Sequence, residues 1–152
     1  MRELYIALKS LYDATSAATF KATWDVTAAQ CLAAAVALRA YSVGGFYLAS
    51  APHGTALPHI TVSPAADTSS GTMGIRYVEG TVVTFTIWCP RYGLDAGLSA
   101  LANLKRVFDN QLVAFSSGGM ILCVRRTSGR WVEQGEPEGG FAIVCDYEYK
   151  YK

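Results

Sequence analysis

Residues 76–90 read RYVEGTVVTFTIWCP, and the period of this stretch decides the fold. Val83, Phe85, Ile87 and Cys89 fall on one side of an extended chain, and Val82, Thr84, Thr86 and Trp88 on the other. A period of two, filled with β-branched and aromatic residues, marks a strand with one apolar face and one mixed face. Pro90 has no amide hydrogen to continue a ladder, and Tyr92-Gly93 turns the chain.

Downstream the period changes. Asp95 is expected to cap a helix running to about Asn110, with Leu98, Leu101, Leu104 and Phe108 along one face. Asn110 tolerates the left-handed conformation of a helix end. Residues 120–152, MILCVRRTSGRWVEQGEPEGGFAIVCDYEYKYK, read as two long strands. The connector at 129–140 is too long and too glycine-rich for a tight hairpin and is expected to be a mobile loop. In the last strand Phe141, Ile143, Cys145, Tyr147, Tyr149 and Tyr151 face one way, and Asp146, Glu148, Lys150 and Lys152 the other. Aromatics opposite charges at such a position fit either a subunit contact or an internal core strand.

Upstream, residues 46–64 read FYLASAPHGTALPHITVSP. Short extended segments at 46–49 and 58–63 flank a Pro-His-Gly turn. Residues 64–74, PAADTSSGTMG, are expected to be a polar, mobile loop. The alanine-rich run 28–41 is a helix that Thr27 caps and Gly44-Gly45 stops. Residues 15–27, where Phe20 and Trp24 stand four apart, fit loop and ragged helix equally. Leu4, Tyr5, Leu8, Leu11 and Tyr12 make 2–14 a short amphipathic helix. Helices and strands do not alternate strictly. The expected class is therefore α+β, a mostly antiparallel sheet with amphipathic helices on one face, in a single domain over 1–152.

Composition narrows the function. Of 152 residues 51% are apolar and 16% charged, against about 25% charged in an ordinary globular domain. Charge is depleted at the cores of interfaces, so the shortage points to surface covered by partners or copies of itself. Thirteen Lys+Arg against twelve Asp+Glu leave a net charge of +1, without the basic excess of a nucleic-acid binder. No apolar run is long enough to span a membrane, and the interleaved charges of MRELYIALKSLYD do not fit a signal peptide.

The reactive residue types do not converge in the sequence. His53 and His59 each follow a proline and lack a third partner near them, which reads as rigid turn residues rather than catalysts or metal ligands. Cys31, Cys89, Cys123 and Cys145 form no C-x-x-C pair and sit in apolar runs, as buried reduced thiols do. Glu133, Glu136 and Glu138 lack the spacing of a calcium loop. Arg125, Arg126 and Arg130 beside Trp131 fit a phosphate clamp less well than a solvated strand end. No catalytic, metal or cofactor set is expected. The competing readings from other classes are a small hydrolase using His53 and His59, and a soluble α+β small-molecule binding module.

The order of FYLASAPHGTALPHITVSP, a polar loop with an aspartate, RYVEGTVVTFTIWCPRYG, the helix DAGLSALANLKRVFDN and two C-terminal strands resembles the tail-terminator, or tail-completion, proteins of long-tailed bacteriophages and phage-like particles. The likeness rests on the turn from Ala51-Pro52-His53-Gly54 through Leu57-Pro58-His59-Ile60, on Trp88 at a strand end and on the helix soon after it. It covers residues 1–14 and 44–152; the alanine-rich helical insertion at 15–43 departs from it. The resemblance implies a small α+β subunit in a ring, typically a hexamer, seated on the last ring of tail-tube protein at the tail–neck junction of the virion. Such a ring assembles in the host cytoplasm, stops tube polymerisation and meets the head-side connector or stopper protein, while genomic DNA passes through the lumen unread. A head-completion or stopper ring is the neighbouring alternative. The candidate residues for a subunit or tube interface are His53, Trp88, Arg91, Tyr92, Arg125, Arg126, Trp131, Tyr147, Tyr149 and Tyr151, with no catalytic or metal residue implied.

Overall fold

The computed structural model describes residues 2–71, 77–114, 120–125, 130–134 and 140–151, with side-chain surroundings for 2–64, 80–111 and 140–149. Helix α1 (Arg2–Tyr12) buries Leu4, Ala7, Leu8, Leu11 and Tyr12, the 3–4 stripe of its sequence. A single 3-10 turn (Ala17–Thr19) follows, and then α2 (Ala28–Tyr41). Thr27 and Gln30 form a reciprocal cap on α2: Gln30 N–H donates to Thr27 Oγ1 at 3.2 Å and Thr27 N–H to Gln30 Oε1 at 2.9 Å. The buried face of α2 is Cys31, Ala34, Ala35 and Leu38, small enough to bring α3 (Leu94–Phe108) close alongside.

The strands are β1 (Phe46–Leu48), β2 (His59–Gly71), β3 (Tyr77–Cys89), β4 (Leu112–Ala114), β5 (Met120–Arg125), β6 (Arg130–Gln134) and β7 (Gly140–Tyr151). They form a sheet of order β1-β2-β3-β7-β5-β4, in which β6 also pairs with β7. The β1–β2 pair is parallel and the remaining described pairs are antiparallel. The fold is α+β, as the alternation of residues 82–89 indicates. Val83, Phe85, Ile87 and Cys89 are buried at 2% exposure or less.

One face of the sheet carries the core. Phe46, Ile60, Val62, Phe85, Ile143 and Tyr147 meet the helices, and aromatic rings bridge the layers. Tyr12 stacks on Phe46 at 4.7 Å, and Phe85 packs on Phe108 at 4.7 Å and edge-on to Tyr147 at 5.3 Å. Each such ring, fully buried, contributes roughly 1.5–3 kcal/mol of hydrophobic stabilisation. The opposite face presents Thr84, Thr86, Trp88, Asp146 and Glu148, all half-buried, with Thr84 Oγ1 donating to Asp146 Oδ1 at 2.7 Å.

Several expectations are corrected. Residues 64–71 are not loop: β2 continues through them to Gly71, paired with β3 as far as Gly71 opposite Tyr77. Polar composition hides this strand, because its backbone pairing with β3 leaves no mark in the residue pattern. Residues 72–74 lie outside the described set. Within the expected 129–140 loop, Arg130–Gln134 is strand β6 and Gly140 opens β7, while 129 and 135–139 lie outside the described residues. The C-terminal region thus holds three strands, with β5 and β6 end to end on one edge of β7, opposite residues 147–151 and 140–144.

The cap of α3 is Gly93, which makes no side-chain cap hydrogen bond. Asp95 sits inside the first turn, where its charge still complements the helix dipole. Leu98 is 42% exposed; the buried stripe runs through Gly97, Ala100, Leu101, Leu104, Val107 and Phe108 instead. Asn110 does take the left-handed conformation expected of it, at φ 56°.

The terminal strand is not an edge. β7 lies between β3 on one side and β5 with β6 on the other. Tyr147 and Tyr149 are 0% exposed. Their aromatic faces belong to the chain's own core, so they are removed from the candidate contact residues. Arg125 pairs with Tyr147 and Tyr151 with Ile121 and Glu79 along the ladder, and Trp131 lies in β6 opposite Ile143; their side chains, and the whole of Arg126, lie outside the described set.

Candidate functional site

The Pro-His-Gly turn closes over one end of the sheet's helix-free face. Leu48 ends β1, and Ala49 turns the chain with a left-handed φ of 64° while its N–H still donates to Val62 O at 2.7 Å. Thr55 N–H donates to Pro52 O at 3.1 Å, closing a tight turn that carries Gly54 at φ 80°. The Leu57-Pro58 peptide is cis. Gly44 N–H donates to Pro58 O at 2.9 Å. A Cβ at Gly44 would stand 1.9 Å from Ala56 O and 2.9 Å from His59 Cβ, so only glycine lets the end of α2 lie this close to the loop. The loop is pinned at both ends.

Beneath it, three aromatic side chains form a row across β1, β2 and β3. The His59 ring lies 6.1 Å from Trp88, nearly stacked at 29°, and 6.3 Å edge-on from Tyr47. Trp88 Nε1–H donates to Thr61 Oγ1 at 3.0 Å, and His59 Nδ1 lies 3.2 Å from Ala56 O. The row follows from the register: His59 sits opposite Trp88 and Tyr47 opposite Thr61, so all point to one face. Loop and row enclose a groove of about 610 Å³, lined by residues 49–55, Leu57, His59, Thr61, Trp88, Cys89 and Phe141. Among the described residues no carboxylate lines it.

The groove therefore brings together His53 and Trp88, two of the expected contact residues, which lie 35 positions apart in the sequence. Arg91 and Tyr92 stand on the turn that leaves β3 just after Cys89. Both are exposed, and the Arg91 guanidinium lies 5.9 Å above the Tyr92 ring. Tyr92 is 93% exposed. The structure separates Tyr147 and Tyr149 from this group. Tyr147 Oη–H donates to Asp109 Oδ1 at 2.6 Å, and burial, with the Asp109 charge next, raises its pKa.

The groove offers packing, hydrogen bonding and the imidazoles of His53 and His59. Among the described residues no cluster of three His, Cys, Asp or Glu could hold a metal ion. Cys89 turns its sulfur toward the helices, where it accepts from Tyr41 Oη–H at 3.4 Å. Burial raises the pKa of that thiol, with the Tyr41 hydrogen bond acting the other way, and burial also raises that of Tyr41. A neutral thiol is a weak nucleophile.

Tyr47 joins the aromatic row, and Thr61 the groove, only through strand register. His59, singled out in the sequence with His53, meets it in the same groove. Trp24 stands out by exposure: Phe20 is buried at 5% but Trp24 is 93% exposed. The signal for it was Thr23 and Asp25, turn formers on either side. That turn also borders a polar hollow of about 300 Å³, with Lys105, Arg106, Asp109 and Asn110 at the end of α3.

No family model matches this chain, and a search of curated proteins found no match either.

Proposed function

We propose that this chain is the tail-terminator subunit of a long-tailed bacteriophage or related phage-like particle. In this reading it forms a ring, typically a hexamer, on the last ring of the tail tube, stops tube growth and offers its other surface to the head-side connector. DNA passes through the lumen without being read. The observation that carries the proposal is the convergence of the two stretches on which the resemblance rests. The Ala51–Ile60 turn and the Trp88 strand end build one groove, in which Pro52, Leu57 and Trp88 offer contact surface beside His53 and His59. Exposed aromatic and aliphatic side chains agree with it, because an isolated subunit that leaves Trp24 and Tyr92 each 93% exposed has large anchors to bury on assembly.

The test is removal of the chain from the particle that encodes it, followed by electron microscopy of the tails. Tube lengths become uncontrolled and tails stay unattached to heads. Tails of normal length that fail to join heads would instead place the chain at the stopper position. Normal particles would overturn both roles.

A further inference from the structure

We infer that Trp24 of one copy of this chain seats in the groove beneath the 49–57 loop of the next copy. Trp24 projects from a built turn. Thr23 N–H donates to Val26 O at 2.9 Å, Thr23 Oγ1–H to Asp25 Oδ1 at 2.9 Å, and Val26 N–H to Thr23 Oγ1 at 3.3 Å. Gln111 holds the base of the turn through two 3.0 Å hydrogen bonds to the Lys21 backbone, and the α2 cap begins on its far side at Thr27. The turn that presents the indole, 93% exposed, is thus ordered before docking, which lowers the backbone share of its entropic cost.

The groove has the matching properties. Its volume of about 610 Å³ exceeds one indole, and Trp88, Leu57 and Pro52 line it alongside small residues. Charge is compatible as well: Asp25 stands beside Trp24, while among the described residues the groove wall holds no carboxylate and Arg91 stands on the adjoining turn.

Knob and groove cannot meet within one molecule or across a two-fold axis on one shared patch. The Trp24 turn lies by the C-terminal end of α3, in the helix layer. The groove lies by its N-terminal end, on the other face of the sheet. Fifteen helical residues separate these ends by ~22 Å. Patches that fit each other but lie on different sides of the molecule meet head to tail, in a contact that closes as a ring or runs on as a filament. A tryptophan buries about 150–250 Å², less than the ~800 Å² per partner of a stable interface. Leu48, Leu57 and Tyr92, exposed around the same end of the sheet, supply area beside it. The contact needs only a second copy; its closure into a ring rests on the tail-terminator proposal.

Sedimentation velocity up to millimolar protein tests the contact with Trp24→Ala and Ser50→Trp, the second blocking the groove from an exposed lining position. Far-UV circular dichroism first establishes that both variants fold. The wild-type chain self-associates beyond a dimer. Each variant alone is monomeric, because each keeps one half of the contact. An equimolar mixture forms one-to-one heterodimers and stops there, since the only intact knob then meets the only open groove. A wild-type chain that stays monomeric, a Trp24→Ala chain that assembles like wild type, or a mixture that stays monomeric overturns the inference. Particles carrying Trp24→Ala with tails of normal length would sink the contact and leave the ring standing, whereas normal tails without the chain would sink the ring.

Discussion

Gln111, 1% exposed, uses one side chain to imitate a neighbouring strand. Its Oε1 accepts from Lys21 N–H and its Nε2 donates to Lys21 O, and Nε2 also reaches Cys31 Sγ at 3.7 Å. This clamp sets where the following turn, and therefore Trp24, can stand. Gln111→Leu keeps nearly the same volume but removes both hydrogen bonds, each worth about 0.5–1.5 kcal/mol net. The variant should lose roughly 1–3 kcal/mol by urea titration, at an unchanged m-value, and the Lys21 amide should exchange its hydrogen much faster. An unchanged exchange rate at Lys21 would show that other contacts hold the segment. Nothing in the sequence near Gln111 announces this role, because its partner lies 90 positions away.

At the scale of elements, the loop between β1 and β2 is held by close backbone approach. Gly44→Ala would force a methyl group into Ala56 O, a backbone atom that can move only with the loop. The expected cost is about 3 kcal/mol, at the upper end of overpacking effects, read as a thermal midpoint several degrees lower. His59 and Trp88 resonances should shift with it. A variant of wild-type stability would mean the loop is not anchored where Gly44 meets it. The elements legible beforehand were those whose side chains carry the period: the 82–89 strand, the 141–149 alternation and the Thr27-capped alanine helix. The far half of β2 and the whole of β6 were not legible. Pro64 to Gly71 and Arg130 to Gln134 are ladder because β3 and β7 offer backbone partners, a fact about distant chain. The same limit applies to the groove. His53 and Trp88 stood out individually, but the register that places His59 between Tyr47 and Trp88 belongs to the sheet. Tyr147 and Tyr149 misled for the complementary reason: alternation shows that a strand has two faces, and not which face the core takes.

For the whole molecule, the low charge and the outward-facing Trp24 and Tyr92 have a common account in assembly. The helices cover one face of the sheet, and the groove at one end of the other face is built from turns, rings and hydroxyls. The inferred contact between a knob at one end of α3 and a groove at the other gives the chain a direction, as the proposed ring requires. Cryo-microscopy of the intact particle tests this most directly. The account predicts a closed ring of this chain in direct contact with the last ring of tail tube, with neighbouring subunits joined by unlike patches. A chain found away from the tail, or present there as isolated copies that do not touch one another, would contradict it.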